Sequence, residues 1–419
     1  MKQTRWFTLA LALALLAPLL AGLAAVSAGG PIGGMFLIRD EAVDTKDPAV
    51  AYNSQRQEYL VVFWNDRPGC DDIRAERVSK DGKLLGGVWV AYGCPADRRY
   101  PDVAYNSQAN EYLVVWQEDD IDIRGQRVSA TGGLVGGMLI IATGTVGSIF
   151  CTSPAVAYAS TENKYLVVSE LRDTTAGYGI WAQALNSDGS VWGSGFSIVP
   201  QSVGYKLDSD LAYNYLRNEF LVVWAQDFIN KSNIRGQRVK MLGGAAPLGS
   251  AFWISPWDPN EDLHPAVAAV PRFPDGQYLV AWEYRFSATD HDIWAQRVAG
   301  EGTLEGSVIG VYSSPQYDMS PAVAGSESNQ QYLLVWTRPS DPPFAFHHIY
   351  GRAISTGGAL LGQTTWVGGG FSSDYAAVAA GPLGDFLIAF QDDQGSGNDD
   401  IWGSLWGNRL YLPLVLKNH

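Results

Sequence analysis

Cysteine and charge are both scarce in this chain. Cys70, Cys94 and Cys151 are the three cysteines among 419 residues, with no Cys-x-x-Cys pair and no cysteine–histidine grouping. That excludes a structural zinc site built on closely spaced ligands. Charged residues make up 17% of the chain, and 43 acidic against 29 basic residues leave a net charge of −14. Without a basic stripe, binding to nucleic acid through its phosphates is excluded, because that needs clustered cations. Long apolar runs are also lacking, with one exception. Leu9 to Leu23 is apolar apart from the breaks at Pro18 and Gly22; Lys2 and Arg5 precede it and Val26-Ser27-Ala28 follows. A cationic start, an apolar middle and a small-residue end read as a leader removed on export. A bilayer anchor would need about 20 apolar residues and flanks to hold it. Residues 1–28 are therefore expected to be a signal peptide. The expected product is secreted or displayed at the cell surface, monomeric, and without a membrane span.

Glycine (46 residues) and aromatics (12%) are plentiful, a composition of packed strands and turns rather than of disorder. Their arrangement is periodic. A Pro-Ala-Val-Ala-Tyr type run, a polar turn and a Tyr-Leu-Val-Val-Trp type run recur seven times, centred on Val50, Val103, Val156, Leu211, Val267, Val323 and Val378, at spacings of 53 to 56 residues. A fixed period of this size marks a repeat architecture. The second unit shows four strand-like segments: Pro101 to Tyr105, Glu111 to Trp116, Ile123 to Val128 and Gly136 to Ile141, with a glycine-containing turn before the last. Four short antiparallel strands per unit make a propeller blade. The last unit has three such segments and no fourth, whereas Gly33 to Ile38 repeats the fourth-strand pattern at the other end of the chain. The expected fold is all-β: a seven-bladed β-propeller over 29–408, closed by an N-terminal strand that completes the last blade, with a tail at 409–419. Closure of this kind removes sheet edges that would otherwise invite aggregation. It also sets the loops of Cys70 and Cys94 at one end of one blade, which favours a disulfide between them.

The repeated residues have a scaffold role first. Phe63, Trp116, Trp224, Trp282, Trp336 and Phe390 hold one equivalent position, with Ser169 there in the third unit. Each aromatic is expected between blades. The Gln and Arg of Ile123–Arg127, Ile234–Arg238 and Ile293–Arg297 are expected to bond backbone or carboxylates, since buried polar groups need partners. A binding site should instead break the repeat.

The pairing of Tyr-Leu-Val-Val-Trp with Asp-Ile-Arg-Gly-Gln-Arg-Val, as at Tyr112–Trp116 and Asp122–Val128, resembles the repeats of secreted bacterial seven-bladed β-propeller proteins. The resemblance covers about residues 33 to 406 and implies the fold more than any activity. Repeat signatures of the WD, kelch and Asp-box types do not fit; Asn186 to Trp192 comes nearest to an Asp-box and reads as a hairpin turn.

The loops joining second to third strands, and those leading into the next blade, share one face and are long, variable and acidic. Variation on a rigid scaffold is where binding usually lives. His264, His291, His347 and His348 fall there, near Asp262, Asp290, Asp292 and Asp318; mixed histidine and carboxylate sets suit zinc or another transition metal. Asp120 and Asp122, and Asp392 and Asp393, sit in loops rich in hard oxygen ligands that calcium favours, but neither loop has EF-hand spacing, and a solvated acidic loop is the plainer account. In the irregular third unit, Glu170, Arg172, Asp173, Tyr178 and Trp181 are candidates for an aromatic-lined sugar notch; drift of one repeat is the plain alternative. The expected function is non-enzymatic binding or scaffolding, with a glycan or an extracellular protein engaged through the acidic face. The alternative is a carbohydrate-active hydrolase using loop carboxylates, which acids clustered near the ring axis beside a Tyr or Arg would favour.

Overall fold

Runs such as Tyr59 to Trp64 and Tyr278 to Trp282 are apolar on both faces and wholly buried, as strands sandwiched between neighbouring sheets must be. The computed structural model describes residues 29–407 except 203, 228–230, 242, 273, 341–345 and 396. The expected leader at 1–28 and tail at 409–419 lie outside the described residues. Twenty-eight strands form seven four-stranded antiparallel sheets, the blades of a β-propeller, with one short 3-10 turn at Pro382–Gly384 as the only helical element among the described residues. Blades one to seven span residues 45–91, 98–142, 149–202, 206–253, 261–312, 319–368 and 373–407. The seventh takes its outermost strand from Gly30–Arg39, with Phe36 opposite Gly403 and Leu37 opposite Trp402. The first strands of successive blades adjoin one another around the axis.

The core lies between blades, in seven clusters. Phe63, Trp116, Trp224, Trp282, Trp336 and Phe390 are each fully buried in one of them, and each stabilises its contact by about 2–3 kcal/mol. The interface of blades two and three, where Ser169 replaces the aromatic, is filled by Cys151, Leu171 and Trp181 instead. Cys151 is buried, so its unpaired thiol is closed to another molecule, and burial pushes that thiol up to about 11. Cys70 and Cys94 are joined by a disulfide, with Cα atoms 5.1 Å apart.

The repeated glutamines hold their own blade. Gln126, Gln183, Gln237 and Gln296 each donate from Nε2 to the backbone carbonyl of the next residue and to a second carbonyl, on the outer strand for three of them and at Gly193, just before it, for Gln183. Of the repeated arginines, Arg127 pairs with Glu111 of its own blade, whereas Arg77, Arg238 and Arg297 also reach the next blade. Arg238 Nε donates to Glu219 at 2.9 Å and Arg238 Nη1 to the Glu301 carbonyl of blade five at 2.7 Å; Arg77 does the same with Glu58 and with Thr131 of blade two. Blade three has Lys164 and Ala184 at the places of that acid and arginine. Lys164 lies 4.7 Å over the Trp192 ring instead.

Candidate functional site

Every first strand contains the same irregularity. Two of its residues stand opposite one on the second strand: 47–48 opposite Phe63, 100–101 opposite Trp116, 153–154 opposite Ser169, and so on around the ring. This is a β-bulge, which re-aims a side chain where a strand meets an edge. The first bulged residue has left-handed φ in all seven blades: Asp47 (47°), Tyr100 (52°), Ser153 (46°), Asp208 (55°), His264 (48°), Ser320 (50°) and Tyr375 (48°). None is glycine, so the ring carries strain of the order of 1–2 kcal/mol per residue. These seven residues, with Asp102 and Asp210 below them, line an axial basin of about 570 Å³. Strand direction places its mouth on the face of the acidic loops.

Neighbouring blades hold the ring in place. Gln117 Oε1 accepts the Ser153 N–H at 3.1 Å, Glu170 Oε1 that of Asp208 at 2.6 Å, Glu283 Oε2 that of Ser320 at 3.3 Å and Gln391 Oε1 that of Asp47 at 3.2 Å. Glu170 is buried, and burial followed by the nearby Asp208 charge raises its carboxyl to about 8. Asp208 Oδ2 lies 3.1 Å from His264 Nδ1, and that bond holds the imidazole up to about 9. On the basin floor Asp102 accepts the N–H groups of Val103 and Val156 at 2.8 and 2.7 Å, and Asp210 those of Leu211 and Val267, both at 2.7 Å. Each therefore ties its blade to the next. Burial raises Asp102 to about 6 and, with the Asp102 charge adding to it, Asp210 to about 7. Burial and then the Asp47 carboxylate raise the Tyr100 and Tyr375 hydroxyls.

The candidates from the sequence are distributed differently. His264 stands in the ring and Glu170 lies behind it. The rest of the third-blade group is divided by the pleat, since successive strand side chains point to opposite faces. Trp181 packs toward blade two, whereas Arg172 lies over the Phe150 and Tyr178 rings and Tyr178 stacks near Tyr205, toward blade four. Asp173 caps its own turn at the Thr175 and Ala176 N–H groups. The group is not one notch.

Among the described residues no group of three or more His, Cys, Asp or Glu could hold a metal ion. The metal candidates serve separate loops on a wide ring. His291 Nδ1 lies 2.6 Å from Glu283 and His347 Nδ1 2.9 Å from Asp374. Asp122 accepts the Gly144 N–H and Asp292 that of Ser314, both at 3.1 Å. Asp120 accepts from the Gln117 amide. Asp392 accepts from Ser373 Oγ, and Asp393 from the Gly395 and Gly397 N–H groups.

Sequence reasoning missed Asp47, Tyr100, Asp102, Asp208, Asp210 and Tyr375. One signal was present: the position just before the repeated Pro-Ala-Val-Ala type run changes from unit to unit, reading Asp47, Tyr100, Ser153, Asp208, His264, Ser320 and Tyr375.

Fold and site together define a seven-bladed propeller with a polar axial basin. No family model matches the chain, and no curated protein matches it in sequence. Among solved structures it is similar to a protein of unknown function from Dyadobacter fermentans, at 10% identity over 90% of this chain and 100% of that one, with a TM-score of 0.53. It is also similar to an α-L-arabinofuranosidase from Fusarium graminearum in complex with an iminosugar inhibitor (12% identity, 90% and 98% covered, TM-score 0.48). A third is the α-L-arabinanase of Penicillium chrysogenum with arabinobiose (14%, 74% and 92%, 0.45). At such identities the likeness concerns the fold alone.

Proposed function

We propose that this chain is an exported binding propeller that takes a saccharide in its axial basin. One observation carries the reading: seven blades repeat the same strained backbone, yet they present different side chains to one concavity. Carboxylate, hydroxyl and imidazole groups beside two tyrosine rings supply the donors, acceptors and apolar faces that a polyhydroxylated ring needs, in a cavity of ligand size. Export is supported by the leader-like start and by the Cys70–Cys94 disulfide, a bond of oxidising compartments. A second reading, a glycoside hydrolase, is favoured by Asp102 and Asp210 lining one basin together with Tyr100 and Tyr375, because such chemistry uses two carboxyl groups that face one substrate.

A glycan array and a glycosidase screen on the mature chain test both. Ser153→Tyr with Ser320→Tyr puts at two ring positions the side chain that Tyr100 and Tyr375 already carry there, so it fills the basin on a tolerated backbone. Glycan affinity should fall at least about tenfold with the melting temperature little changed; each tenfold is 1.4 kcal/mol. Unchanged affinity would move the site out of the basin. Turnover abolished by Asp210→Asn in a folded protein would replace binding with hydrolysis.

A further inference from the structure

The basin wall is unequal around the axis. Adjoining blades seven, one and two place Tyr375, Asp47 and Tyr100 in succession on their bulges, and the two tyrosines remain 53% and 45% exposed there. Asp47 is fixed between them. Its Oδ2 accepts from Trp64 Nε1 at 2.7 Å, and its N–H is held by Gln391. The basin is lined by four aspartates, Asp47, Asp102, Asp208 and Asp210, by His264, and by no lysine or arginine. Lys46 and Arg99 lie behind this corner, over the Trp64 ring at 5.4 and 5.5 Å, outside the basin lining; Lys46 is paired with Asp44 and Asp66 at 3.1 and 2.7 Å, and Arg99 with Asp71. His264, across the ring, has its charge matched by Asp208. The corner thus offers two aromatic rings and a carboxylate with no resident cation.

We propose that Tyr375, Asp47 and Tyr100 recognise a protonated primary amine, so that the saccharide of the basin is an amino sugar whose nitrogen is not acetylated. This rests on the saccharide reading above. Aromatic rings attract a cation through their negative faces, and the attraction grows as water is excluded; a carboxylate adds a charge-assisted hydrogen bond. Acetylation would remove the charge that both features address and leave Asp47 facing a neutral amide.

The test is titration calorimetry with four ligands: a glucosamine tetramer, the N-acetylglucosamine tetramer, a glucose tetramer and a lysine-rich peptide. The glucosamine tetramer should bind at least about tenfold more tightly than either neutral tetramer. Asp47→Asn should erase that preference, so that the variant binds the glucosamine tetramer no more tightly than it binds the neutral tetramers. The amide oxygen can still accept from Trp64, so the fold should hold, as thermal melting would verify. Tyr100→Phe should keep the preference and Tyr100→Leu should weaken it, giving a second route if Asp47→Asn unfolds. Equal binding of all three tetramers would overturn the amine corner and leave the saccharide reading standing. Binding of none of the four ligands would overturn both. Binding of the peptide alone would keep the amine and overturn the sugar.

Discussion

The second and third strands of the blades and the bulges at the axis are built on opposite plans. In those strands side chains repeat: among the described residues the buried aromatic recurs in six blades, the blade-bound glutamine in four and the arginine that reaches the next blade in three. At the axis the backbone repeats, seven left-handed residues in seven bulges, while the side chains diverge into acids, hydroxyls, tyrosines and one histidine. The first plan holds a ring together. The second gives a fixed frame on which residues can change without moving their neighbours, as a binding surface requires.

The contrast can be broken most severely within the first plan. Trp282→Ala empties a fully buried site between blades four and five and should cost about 3–5 kcal/mol in chemical denaturation. A cost below about 1 kcal/mol would mean that the aromatic column does not hold the ring.

A middle-sized effect should separate the regions by pH. The Glu170 carboxyl is raised from its ordinary 4.5 to about 8, so the folded state keeps a proton that the unfolded state releases. Its contribution to stability is therefore lost as pH rises from about 4.5 to about 8. Glu170→Gln keeps an acceptor for the Asp208 N–H, the task Gln117 performs for Ser153, and removes that titration. Melting temperatures across this range should fall less steeply for the variant than for the parent, with a gain of the order of 1–2 kcal/mol at pH 8. Parallel pH curves would show that the residue is not a protonated support of the ring.

The smallest effect restores the first plan where it lapses. Lys164→Glu with Ala184→Arg installs the acid–arginine pair in blade three and should raise stability by up to about 1 kcal/mol. Neither single change should do so, since each supplies one partner only.

Much of the scaffold is legible because strand patterns and large aromatics act locally. The run Glu111 to Trp116 states its own burial, and the match of Gly33 to Ile38 with a fourth strand locates the clasp that pairs with Ile401 to Leu405. Ser169 and Ala184 are equally visible as departures from the repeat, but the pleat sends Trp181 and Tyr178 to different neighbours, and linear order suggested a shared notch. The histidines and aspartates of the loops look alike in sequence. Whether Asp292 faces a metal or staples the Ser314 N–H depends on a backbone group 22 residues away.

By itself the sequence determined the period, the strands, the number of blades and the way the ring shuts, because hydrophobic patterning and turn chemistry are properties of neighbouring residues. The tertiary structure alone decided that residues 47, 100, 153, 208, 264, 320 and 375 line one basin. They lie more than fifty residues apart in the chain, and nothing in a bulge's own sequence turns a tyrosine or an aspartate to left-handed φ. That conformation follows from seven inner strands crowding a common axis, with each bulge held by its sheet and four of the seven also bonded from the blade before.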